Sequence, residues 1–187
     1  NRNLHFRNKM VEFSVSGEIN YIDHVMGNTD NRLTGYLTAG IAYFTHDPEA
    51  KDSYGNWHPL QPLGTEGQGW TFGNDPYKLN GIALPFGMGF KVNLGPAIAF
   101  QMEWGLRKTW TDYLDDVSTS YVNPVELRQA RGELALEMAD RILDLPDDLP
   151  HSQGLQRGDP GLDDKYGYFL ASIAFRVSKK PTSCWEQ

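Results

Sequence analysis

The sequence predicts an all-β fold, a small antiparallel up-and-down barrel with long loops at one end, on three observations. Large apolar residues alternate with small or polar ones over five long stretches. The connections between these stretches run short, long, very short, long. No window approaches the roughly 18 uninterrupted apolar residues of a membrane-spanning helix, and the mean hydropathy is −0.51. A period of two puts successive side chains on opposite faces of a strand.

The elements follow in order. Over Met10–Ile22, Val11, Phe13, Val15, Ile19 and Tyr21 share one face, and Glu12, Ser14, Ser16, Glu18 and Asn20 the other. This is long enough to cross a bilayer when tilted, which takes roughly 9–11 residues. Residues 24–32, HVMGNTDNR, are turn chemistry. Leu33–Phe44 is a second strand with weaker alternation. Thr45–Lys78 reads as a long polar loop with four prolines, Pro48, Pro59, Pro62 and Pro76, unless short strands hide in it, for example around Trp70 to Phe72. Such a loop is unusual in a compact domain and ordinary at one end of an outer-membrane barrel. Leu79–Val92 is the third strand, with a bulge expected at Pro85. Asn93-Leu94-Gly95 turns tightly into the fourth, where Ile98, Phe100, Met102, Trp104 and Leu106 share a face. Asn123-Pro124 is a helix start, with Asn as N-cap and Pro in the first turn. Leu127, Leu134, Met138 and Ile142 then mark an amphipathic helix over 124–144, weakened at Gly132. Tyr166–Ser178 is the last strand and 179–187 a polar tail.

The segment RKTWTDYLDDVSTSYV at 107–122, with LGTEGQG at 63–69, the sheet-like 82–105 and the closing KYGYFLASIAFRV at 165–177, resembles a family of Bacteroidetes outer-membrane β-barrels. That family includes the PorG component of the type IX secretion system. The resemblance implies a bacterial outer-membrane location and a barrel of about eight strands in the full protein. It implies an accessory role in type IX secretion, through periplasmic ring components built on a lipoprotein. Short turns at 23–32 and 93–95 would then be periplasmic and the long loops at 45–78 and 109–165 external, one of them carrying the helix. Eight strands would require three more before Asn1, so the precursor is expected to be longer. The expected partners are outer-membrane lipids and those periplasmic components. Two alternatives stay open: a ligand-binding or adhesive barrel acting through its external loops, and a soluble lipocalin-like carrier, whose apolar face would point inward.

Composition narrows the chemistry. The net charge of −7 argues against a nucleic-acid partner. The single Cys184 cannot form an intrachain disulfide or a cysteine metal cluster. The five histidines fall in predicted loops without ligand spacing. Asp112, Asp115 and Asp116 could offer hard oxygens to a cation, but not at the spacing of a calcium loop, and no nucleophile has a fixed relation to them. The reading is therefore a barrel with no enzymatic activity, no cofactor and no metal. Arg157-Gly158-Asp159 matches an adhesion tripeptide but reads as a solvated turn. Residues 109–165 hold 13 acids and 5 bases, which suits a solvated external loop.

Two groups of residues carry the functional expectation. Phe13, Ile19, Phe100, Trp104, Phe169 and Phe175 are expected to face lipid. Arg107, Lys108, Trp110, Asp112, Tyr113, Asp115, Asp116 and Tyr121 are expected to build a folded loop for structure or partner contact. Arg107 and Lys108 would pair with Asp112 or Asp115. Aromatic burial would outweigh those pairs, because exposed ion pairs contribute only about 0–1 kcal/mol. The stripe Leu127, Leu134 and Met138 is expected to pack over the barrel mouth or a partner chain.

Overall fold

The computed structural model describes residues 5–28, 30–71, 74–141 and 153–177. Among the described residues there are six strands: β1 (Arg7–Asn20), β2 (Leu33–Lys51), β3 (Trp57–Pro59), β4 (Asn80–Asn93), β5 (Ile98–Thr109) and β6 (Lys165–Phe175). Two helices, α1 (Pro124–Arg131) and α2 (Glu133–Ala139), and a 3-10 turn over Gln61–Leu63 complete the described elements. The sheet runs β1-β2-β4-β5-β6, with β3 added to β2. The fold is all-β and the sheet antiparallel and curled.

The chain divides into two compact units. One comprises Ser14–Ile41, Leu84–Arg107 and Lys165–Gln187. Its described elements are β-strand segments, and alternation sorts their side chains as the sequence predicts. On one face Ile19, Leu37, Phe86, Met88, Trp104, Phe169 and Phe175 are all exposed. The opposite face is polar and internally paired. The Tyr36 hydroxyl donates to Glu103 Oε2 at 2.8 Å and accepts from Gln101 Nε2 at 2.6 Å. The Tyr168 hydroxyl donates to Glu103 Oε1, and Lys91 pairs with Glu18. The Lys91 ammonium also lies 4.7 Å from the Tyr36 ring centroid, and the Arg107 guanidinium 4.1 Å from that of Tyr168. Tyr36 reaches from β2 across β4 to β5, a span that needs the sheet to curl toward this face. It also needs bare backbone beneath: a Cβ on Gly89 would stand 2.5 Å from the Tyr36 ring, as one on Gly105 would stand 2.2 Å from the Tyr168 ring.

The other unit comprises Asn1–Phe13, Ala42–Ala83 and Lys108–Asp164. Here the expected loop at 45–78 shortens, because β2 continues to Lys51. The hidden strand is β3 at Trp57–Pro59, with Glu49 opposite Pro59 and Lys51 opposite Trp57; Trp70 lies instead in a turn. Alternation does persist past Phe44: Ala42, Phe44, His46, Pro48 and Ala50 are all buried. His and Pro masked it as a hydropathy pattern. His46 is therefore a buried strand residue, not a loop residue. Arg7 and Lys9 of β1 meet the buried Glu49 at 2.5 and 2.6 Å.

Pro85 makes no bulge. Asn93 N–H bonds Arg32 O at one end of the β2–β4 pair and His46 N–H bonds Leu79 O at the other. The residue numbers sum to the same value at both ends, so no residue is inserted between them. The expected single helix is two. Asn123 caps α1 by accepting from Val125 N–H and Glu126 N–H, and α1 ends at Gly132, whose φ of 87° is far from helical. The last strand ends at Phe175. Ile142, His151, Cys184 and the tail at 179–187 lie outside the described residues.

Candidate functional site

The loop that follows β5 is folded, and it closes on a buried polar network in the second unit. The segment 63–69 turns back on itself through Gly64, Gly67 and Gly69, all at positive φ. Trp70 Nε1 donates to Gly64 O at 2.8 Å and holds the turn shut. Glu66 is thereby aimed inward. Its carboxylate accepts from Ser118 N–H at 3.0 Å, Thr119 N–H at 2.9 Å and Thr119 Oγ1 at 2.8 Å. Arg157 Nη1 adds a charged donor at 2.9 Å, with both side chains almost wholly buried. Arg157 also donates to Asp116 O at 2.5 Å and to Ala139 O at 3.2 Å.

Asp116 is the second buried carboxylate, with 0 % of its surface exposed. Oδ2 accepts from Thr65 Oγ1 at 2.6 Å and Oδ1 from the Tyr77 hydroxyl at 2.7 Å. Arg157 Nη2 is 3.7 Å from Oδ2. The backbone of Asp116 sits at φ 67°, the left-handed region that Asp tolerates better than most side chains. Burial pushes its carboxyl up to about 6, against the opposing pull of Arg157, Thr65 and Tyr77. The same burial, with the Asp116 charge, holds the Tyr77 phenol well above its usual range. Two acids and one Arg leave this cluster one negative charge in excess when all are ionised, and the Glu66 charge adds to the desolvation that raises Asp116.

Aromatic rings cover the network. Tyr113 stacks on Tyr77 at 4.4 Å and 6°, and Tyr77 in turn faces His46 at 6.4 Å. Tyr121 is buried, and its backbone pairs with Gly154 and Leu155. Trp110 is exposed. Asp115 Oδ1 caps Val117 N–H at 3.0 Å. Thr109, fully buried, donates to Asp164 O at 2.6 Å, while Asp164 Oδ2 accepts from Leu114 N–H at 2.8 Å. Burial raises the carboxyls of Asp112, Asp115 and Asp164. The three aspartates of the loop thus point to different partners, and among the described residues no three His, Cys, Asp or Glu side chains gather as metal ligands.

The sequence-predicted residues are placed as follows. Asp116, Tyr113 and Tyr121 meet in or over the network, and Asp112 and Asp115 flank it. Trp110 and Lys108 are exposed at the end of β5. Arg107 stacks on Tyr168. Asp116, outside the expected pairing of Arg107 and Lys108 with Asp112 or Asp115, is interior and hydrogen-bonded. Arg157, read as part of a solvated turn, is 3 % exposed. Glu66, Thr65, Tyr77 and Arg157 were not singled out as site residues. A lone acid among three glycines in LGTEGQG was the signal available for Glu66. Of the lipid-facing set, Phe13, Ile19, Trp104, Phe169 and Phe175 are exposed; Phe100 is half-buried, 6.3 Å from Phe90.

The helical stripe is covered by this chain's own loop rather than left for a partner. Met138 packs with Ala50, Leu60, Leu63 and Leu134, and Leu127 with Ala135, Ala139, Leu63 and Trp70.

Residues 1–55 match a family model described as a domain of unknown function, DUF6089. Searches of curated proteins and of solved structures return no match.

Proposed function

We propose that this chain is part of a non-enzymatic outer-membrane β-barrel, closed at about eight strands in the full protein. It serves type IX secretion by contacting periplasmic ring or lipoprotein components. The observation that carries the membrane location is the sorting of side chains on the strands. Ile19, Leu37, Phe86, Met88, Phe169 and Phe175 stand exposed on one face, while Glu18, Lys91 and Glu103 are paired on the other. A soluble carrier would hide the apolar face and expose the charges; a membrane barrel does the reverse. No helix among the described residues is long and apolar enough to cross a membrane, which leaves crossing by strands open. The secretion role rests on the resemblance of the segments at 63–69 and 107–122. The two segments support each other through Glu66–Ser118 and Thr65–Asp116.

The test is affinity isolation of the tagged full-length protein from native membranes in mild detergent. Ring and lipoprotein components are expected to co-purify. Recovery of the barrel from the detergent phase without them would defeat the secretion role and favour an adhesive or ligand-binding barrel. Recovery in the aqueous fraction would defeat the membrane location.

A further inference from the structure

A cleft of about 440 Å³ opens where β4 begins and β5 ends. It is lined by Phe44, Lys78, Asn80, Ile82, Trp110 and Thr111. The lining is mixed: an ammonium, an amide and a hydroxyl stand beside an indole and a phenyl ring. The same order recurs along both strands. On β4 the exposed apolar face runs Phe90, Met88, Phe86, Leu84 and Ile82 and then gives way to Asn80 and Lys78. On β5 it runs Ile98 to Trp104 and then gives way to Lys108 and the exposed Trp110. A cation and an indole at the end of an apolar face are what a membrane–water interface selects.

We propose that this cleft binds the phosphate-bearing headgroup of a membrane glycolipid. Lys78 holds the phosphate, Asn80 and Thr111 bond sugar hydroxyls, and Trp110 covers the ring. The proposal rests on the membrane reading above. An ammonium is a point-charge partner for phosphate, and basic pockets at the membrane surface take anionic headgroups. The acyl chains of such a lipid would leave the cleft past Ile82.

The full-length protein is folded into phosphatidylcholine vesicles, alone or doped with a bisphosphorylated glucosamine lipid or its dephosphorylated form. Heat-dependent gel mobility reports insertion, and mass spectrometry after mild detergent extraction reports retained lipid. Insertion is expected in all vesicles, with retention of the phosphorylated lipid alone. Lys78→Glu should lower that retention about tenfold, as expected for one charge-assisted contact. Lys78→Gln should lower it less, and Trp110→Ala severalfold. Insertion with retention unchanged in Lys78→Glu, or equal for the dephosphorylated lipid, overturns the proposal and leaves the membrane reading standing. Displacement of the lipid by inorganic phosphate at equal concentration would assign the cleft to free phosphate instead. Failure to insert in any vesicle overturns the membrane reading and the proposal with it.

Discussion

Replacing Arg157 with Ala removes a cation that touches both buried carboxylates of the network. The side chains of Arg157, Glu66 and Asp116 are 3, 0 and 0 % exposed. Breaking a buried pair by deleting one partner costs about 3–5 kcal/mol, because the remaining charge stays desolvated. Glu66 keeps three donors from Ser118 and Thr119, which places the cost at the lower end of that range. The lost bonds to Asp116 O and Ala139 O add about 1 kcal/mol each. About 5 kcal/mol is therefore the expected loss. Trp70 is a suitable reporter, since it packs on Leu127 and Ala135 and bonds Gly64 O. Its fluorescence during urea unfolding should show a clear drop in midpoint for Arg157→Ala. Arg157→Lys keeps the charge but cannot reproduce a guanidinium fork that serves Glu66, Asp116 and Ala139 together, so it should fall between the two, with a loss of about 2 kcal/mol. A loss below about 1 kcal/mol in Arg157→Ala would refute the idea that this network holds the loop.

Further outcomes follow from the same geometry. Asp116 has a carboxyl raised from 3.8 to about 6 in the folded state, so the folded protein binds this proton more tightly than the unfolded chain. The penalty of ionising it is present in full above pH 6 and relieved as pH falls from about 6 to about 4; the shift corresponds to about 3 kcal/mol. Asp116→Asn keeps the left-handed backbone and removes the charge. Its stability relative to the parent should thus be highest at pH 7 and fall by pH 4.5; a pH-independent difference would rule out Asp116 as the titrating group. Tyr113→Ala removes the ring stacked on Tyr77 and should cost about 2–3 kcal/mol, more than Asp116→Asn at pH 7, as read from urea midpoints. Asn123→Ala removes the cap of α1 and should cost about 1 kcal/mol, read from the same curves. Cysteine at position 100 should resist a water-soluble reagent in intact membranes, whereas cysteine at 101, on the face where Gln101 meets Tyr36, should react with an aqueous probe small enough to enter; the reverse pattern would invert the assignment of the faces.

The sequence alone determined which residues share a strand face, because alternation is a local property with a period of two. Ile19, Trp104, Phe169 and Phe175 on one side and Glu18, Lys91 and Glu103 on the other were legible for that reason. So was the Asn123-Pro124 helix start, whose donors lie two and three residues away. The strand past Phe44 was not legible, since His46 and Pro48 are buried for reasons that hydropathy does not record. His46 gains Lys78 O as a partner, and the Pro48 carbonyl serves Leu60. Gly132 was visible as a weak point, but whether it merely weakened the helix or divided it depended on how Leu127 and Met138 each found the loop at 60–70. The network was the least legible part. Glu66 and Arg157 are 91 residues apart and Thr65 and Asp116 51 apart, and each is an ordinary polar residue in its own neighbourhood. Only the folded chain removes them from water together, and desolvation is what turns a polar loop residue into a partner that must be matched.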